Sequence, residues 1–127
     1  MDLSVLDMQI REALDAHEGW KAKLSVAVTS GKLPKPARDI ACDDQCAFGK
    51  WLHSMKRDPV VSGMSGFRNT MEAHAGFHEA AGAVAAKVER GDKAGAGAEL
   101  SGAAFRQATN VLKSEMLLWR QQAARQA

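Results

Sequence analysis

His17, Cys46, His74 and His78 are the residues of this 127-residue chain whose types and spacing suit metal chemistry. His74 and His78 stand four apart in Glu72-Ala73-His74-Ala75-Gly76-Phe77-His78-Glu79. On a helix that spacing puts both imidazoles on one face, a turn apart, where they can share an ion. Zn(II) takes four nitrogen or sulfur ligands in a tetrahedron, and this set offers three nitrogens and one sulfur. A lone histidine on an apolar face is commonly just a satisfied core residue, so His17 alone carries little weight. The His74/His78 pair carries more, because burying imidazole groups without partners costs about 1–3 kcal/mol each. A shared ion satisfies both. Cys46 reads as a residue at a helix N-terminus, which favours thiolate, the form that binds metal. His53 lies in the polar stretch His53-Ser54-Met55-Lys56-Arg57 and reads as solvated.

These residues need helices to aim them. Leu3, Leu6, Ile10, Ala13, His17, Trp20, Leu24 and Ala27 recur at intervals of three and four up to Ser30-Gly31, which predicts a helix over 3–29 with His17 on its core face. Gly31, Pro34 and Pro36 interrupt it. Asp43-Asp44 reads as an N-cap for a short helix through Cys46-Ala47-Phe48-Gly49-Lys50-Trp51-Leu52, with Cys46 in its first turn. A second long stripe runs Phe67, Met71, His74, His78, Ala81, Ala85, Val88 and ends at Arg90-Gly91. Gly91 suits a left-handed helix end and Asp92 the next N-cap, so a final helix is expected over 93–124 with Phe105, Ala108, Leu112 and Trp119 inward. Gly95, Gly97 and Gly102 weaken its first turns. The fold class is all-α: an antiparallel four-helix bundle of three long helices and one short helix carrying the cysteine ligand. Trp20, Phe48 and Trp51 are core residues expected to wall the site, and Gly49 lets the short helix press close to a neighbour.

Composition narrows the function. At 46% hydrophobic and 25% charged, the chain fits a single domain over residues 1–127. Its 17 basic and 15 acidic residues are scattered and it has no Tyr, so nucleic acid is not an expected partner. No apolar run approaches the roughly 18 residues of a membrane helix. Met1-Asp2-Leu3 opens with an acid rather than a basic leader, so the expected location is cytoplasmic. Cys42 and Cys46 would close too small a loop for a structural staple, and a metal or redox role fits a reducing compartment better.

Three blocks resemble the chemoreceptor zinc-binding domain family: His17-Glu18-Gly19-Trp20, Cys46-Ala47-Phe48-Gly49-Lys50-Trp51-Leu52 and His74-Ala75-Gly76-Phe77-His78, in the family's order. The resemblance implies a four-helix bundle holding zinc through three histidines and a cysteine, carried here by His17, Cys46, His74 and His78. Such domains are appended to chemoreceptors or diguanylate cyclases, where they sense zinc or oxidants such as hypochlorous acid. The implied partner is therefore a chemoreceptor or a cyclic-di-GMP signalling protein, with a homodimer also open. This chain departs from the family in carrying no output domain, which implies a stand-alone member or an excised sensor. It departs again at Cys42, outside the family block, which is either a small spacer or a second thiol able to engage Cys46.

The expectation is a zinc-binding sensor and not an enzyme: four protein ligands leave no position for a substrate water. Di-iron bundles need inward carboxylates that these stripes lack, and no Cys-x-x-Cys-His haem motif is present. The alternatives are a thiol redox enzyme using Cys42 and Cys46 and an adaptor whose zinc is purely structural. Asp15, Glu18, Glu72 and Glu79, or backbone carbonyls, are the candidates to hold the second ring nitrogens.

Overall fold

The stripe from Leu3 to Ala27 becomes one unbroken helix, α1 (Leu3–Ser30), which buries Leu6, Ile10, Ala13, His17, Trp20, Leu24 and Ala27 along a single face. Asp2 caps its start, and Gly31 closes its end at φ 75°, where a side chain would be strained. The computed structural model describes residues 2–126. Beyond α1 come α2 (Ala37–Ala41), α3 (Ala47–Ser54), a 3₁₀ turn (Met55–Arg57), α4 (Pro59–Ser62), α5 (Ser65–Glu89), α6 (Lys93–Leu100) and α7 (Ala103–Gln126). Among the described residues there is no strand.

The three long helices α1, α5 and α7 all touch one another. Asp7 of α1 meets Arg120 of α7, and Glu18 meets Lys113, so these two helices run antiparallel. Gly66 of α5 meets Gln122 while Phe77 meets Phe105, so α5 is antiparallel to α7 as well. It follows that α1 and α5 run the same way. Residues 31–64 are the crossover that joins them, and α2, α3 and α4 are its ordered pieces. Their short length explains their dependence on the frame: helices this brief do not persist in isolation. The core between the long helices is filled by Leu6, Ile10, Leu24, Phe77, Leu112, Met116 and Trp119.

Three expectations are corrected. The final helix is broken: α6 stops at Leu100 and α7 starts at Ala103. Glycines at 95, 97 and 102 hold a helix poorly, and the Ser101 hydroxyl bonds back to the Gly97 carbonyl at 2.9 Å, competing with the backbone ladder. Ala108 is only half-buried, whereas Met116 is fully buried. The cap of α3 is Cys46 itself, whose sulfur accepts the Gly49 N–H at 3.3 Å, so neither Asp43 nor Asp44 caps it and Cys46 precedes its first turn. By contrast, Gly91 at φ 76° and Asp92 accepting the Gly95 N–H behave as the spacing predicts.

Candidate metal centre

Four side chains from three helices converge at one point in the core. α1 supplies His17, the start of α3 supplies Cys46, and α5 supplies His74 and His78; one donor atom from each lies within 4.8 Å of all the others. The Nε2 atoms of His17 and His78 each stand 3.1 Å from Nε2 of His74. The Cys46 sulfur is 3.3 Å from Nε2 of His74 and 3.5 Å from Nε2 of His78. A tetrahedral zinc with Zn–N near 2.0–2.1 Å and Zn–S near 2.3 Å sets its ligand atoms about 3.3–3.6 Å apart. The cluster is close to that size.

The hydrogen bonds on the far side of two rings decide what the cluster lacks. Nδ1 of His17 lies 2.7 Å from the Ala13 carbonyl, and Nδ1 of His78 lies 2.9 Å from the Ile40 carbonyl. A carbonyl only accepts, so both Nδ1 atoms carry the proton and both Nε2 atoms present a lone pair to the centre. A proton on His74 Nε2 reaches only one of those lone pairs; if it goes to His17, the lone pair of His78 faces only the weak Cys46 S–H donor at 3.5 Å. A cation satisfies all of them at once, and the residues fit a zinc ion on this ground.

Burial keeps the rings neutral. Desolvation lowers His17 from 6.5 to about 4, with the Ala13 carbonyl opposing. It lowers His74 to about 2, helped by repulsion from His78 and His17. His78 is lowered by the same burial, opposed by its bond to Ile40. Neutral imidazole is the form that ligates metal.

Aromatic rings seal the cluster. Phe48 sets its edge against His17 and His74 with centroids at 6.0 and 5.3 Å, and Phe77 contacts His17 and His78 at 5.1 and 5.5 Å. Trp51 stacks on Phe48 at 5.8 Å and reaches the site through it. Trp20 is buried one turn beyond His17, with Lys23 and Lys35 over its ring. Gly49 explains the tight fit of α3: a Cβ there would overlap the Asp43 carbonyl and come within 3.1 Å of His74 Cε1.

His17, Cys46, His74 and His78 are thus brought together as the spacing predicts. Asp15, Glu18, Glu72 and Glu79 are all exposed, and the second ring nitrogens of His17 and His78 go to the carbonyls of Ala13 and Ile40 instead. Nδ1 of His74 is buried with no partner, as is the hydroxyl of Thr70 one turn before it. His53 is half-buried rather than fully solvated, with Nε2 at 3.2 Å from the Asp43 carboxylate. Cys42 sits apart, exposed at the end of α2. Phe77 and Ile40 were missed from sequence. Phe77 was legible as the neighbour of His78, but a backbone carbonyl carries no residue signature.

Fold and cluster together define an all-α domain with a buried three-histidine, one-cysteine candidate metal site. The family model of the chemoreceptor zinc-binding domain matches residues 17–85, a stretch that spans all four clustered residues and more than half the chain. The chain belongs to that family, and zinc is its metal. No curated protein and no solved structure matches it.

Proposed function

We propose that this chain is a non-enzymatic sensory domain that holds one zinc ion through His17, Cys46, His74 and His78 and reports the state of that site to a protein partner. The observation that carries the reading is the convergence of lone pairs from His17 and His78 on His74 and the Cys46 sulfur. Bound zinc supplies a ligand-exchange centre that keeps a thiolate available at neutral pH. Ala13 and Ile40 hold two of the rings in the ligating tautomer. Phe48 and Phe77 exclude water.

The responsive residue is Cys46. Its thiolate attacks a two-electron oxidant such as hypochlorous acid: a sulfur lone pair forms the S–O bond, chloride leaves, and the product is sulfenic acid. The sulfur then no longer serves as a thiolate donor. The element it frees is α3, which buries only Phe48, Gly49 and Leu52 and is bordered by the 43–46 turn and the 3₁₀ turn. The partner that reads this movement is a chemoreceptor or a cyclic-di-GMP signalling protein in the cytoplasm, and residues 1–127 act as one domain.

The test is zinc content and oxidant response measured together. Purified protein contains one zinc per chain, and hypochlorous acid releases it to a chromophoric chelator in wild type but not in Cys46→Ala. Protein that is metal-free and indifferent to added zinc refutes the assignment.

A further inference from the structure

The role of α2 is not explained by its own sequence. It is a five-residue helix, its N-cap is Pro36 with no capping side chain, and it follows a stretch rich in breakers. No side chain of its own caps it, and contacts from α5 hold its two ends. The Glu89 carboxylate accepts the Ala37 N–H at 2.9 Å, capping α2 across 52 residues of chain. At the other end of α2, Ala41 lies flush on Gly82, where an added Cβ would come within 2.5 Å of the Ala41 Cβ and 2.8 Å of its Cα. Gly82 is a buried mid-helix position, where alanine would be the better helix former. Its glycine makes sense as room for α2.

Between those two contacts lies Ile40, fully buried, whose carbonyl accepts the Nδ1–H of His78. The carbonyl must face the ring for His78 to hold its proton on Nδ1 and present Nε2 to the cluster. The geometry points to α2 as a strap that sets the metal affinity of His78, with Glu89 and Gly82 as positioning residues that hold the strap in register on α5. This rests on the metal-site reading above. It adds two residues outside the cluster, one of them exposed and 11 positions beyond His78.

Loss of a partner that orients a ligating histidine typically weakens metal binding 10–100-fold. Glu89→Ala is expected to weaken zinc about tenfold in competition with a chromophoric chelator. Glu89→Gln restores it, because an amide oxygen still accepts from Ala37. Gly82→Ala weakens zinc by a similar or larger factor and also lowers the melting temperature of the metal-free protein, because its Cβ meets the Ala41 Cβ and Cα at 2.5 and 2.8 Å. A merely structural role would weaken zinc equally with and without His78. In a His78→Ala background, Glu89→Ala adds no further loss. Wild-type zinc affinity in Glu89→Ala and Gly82→Ala, or an equal loss with and without His78, overturns the strap. Wild-type affinity in His78→Ala itself overturns the metal-site reading instead.

Discussion

Acidifying the metal-free protein tests whether the three imidazoles are buried as neutral bases. His17 and His74 are lowered in the folded state from 6.5 to about 4 and about 2, chiefly by desolvation. The folded chain therefore binds fewer protons than the unfolded chain once pH falls below about 6.5. Their contribution to stability is intact above that point and is lost as pH falls toward the folded values. At pH 5 the unfolded rings are almost fully protonated and the folded ones almost bare, a difference close to two protons. At about 1.36 kcal/mol per proton per pH unit, the slope there is about 2.7 kcal/mol per unit. Between pH 7.5 and 5 the loss amounts to about 4 kcal/mol, a large part of the 5–15 kcal/mol typical of a domain. His78, lowered by the same burial, adds in the same direction. Urea unfolding of zinc-free protein followed by far-UV circular dichroism at pH 7.5, 6.5, 5.5 and 5 reads this directly. His17→Ala should remove about one proton, or about 1.4 kcal/mol per unit, from the slope. A stability that stays level across this window refutes the reasoning, because it means the rings protonate as freely in the folded chain as in the unfolded one.

Replacing His17, His74 or His78 with Ala is expected to lower zinc content below one per chain and to lower the melting temperature. His53→Ala should keep full zinc; metal analysis beside a thermal melt checks both, and zinc at 100 times its Kd should be worth about 2.7 kcal/mol to wild type. Cys46→Ala should retain some zinc on three imidazoles, and chelation of the wild type should change tryptophan emission mainly through Trp51, which stacks on Phe48. A Trp51→Phe variant that keeps the full change would rule out that ring as the reporter. Gly49→Ala should destabilise the fold by about 1–3 kcal/mol and weaken zinc, because its Cβ collides with the Asp43 carbonyl beside His74; unaltered melting would show that the 43–46 turn yields freely. Mild oxidation should join Cys42 to Cys46 in a disulfide with zinc release, read by mass spectrometry, and an untouched Cys42 thiol beside over-oxidised Cys46 would assign Cys42 to a spacer role.

The site was more legible in the sequence than its surroundings were. His17, His74 and His78 announce themselves because ligands on long helices share the period of the core stripe that buries them. Cys46 was placed in the right element, but one position inside a helix that it caps. A cysteine does not resemble a capping residue, while the two aspartates before it do. The break at Ser101 and Gly102 was hidden by an apolar period that continues through it. Least legible was α2, since its order comes from Glu89 and Gly82, 52 and 41 residues away from the positions they touch. The same limit applies to the partners of the rings. Exposed carboxylates near each histidine look like candidates, but Ala13 and Ile40 use backbone atoms that every residue owns.

Because the Cys46 sulfur both faces the imidazoles and begins α3, the chain has accepted a weak first cap where serine, threonine or aspartate would hold the helix better by about 1 kcal/mol. Cys46→Ser should therefore make the metal-free fold sturdier while depriving the cluster of its soft donor. A protein selected only for durability would drift toward that hydroxyl. On the proposed sensor reading, the thiol at position 46 trades robustness for responsiveness, with the cost placed on α3.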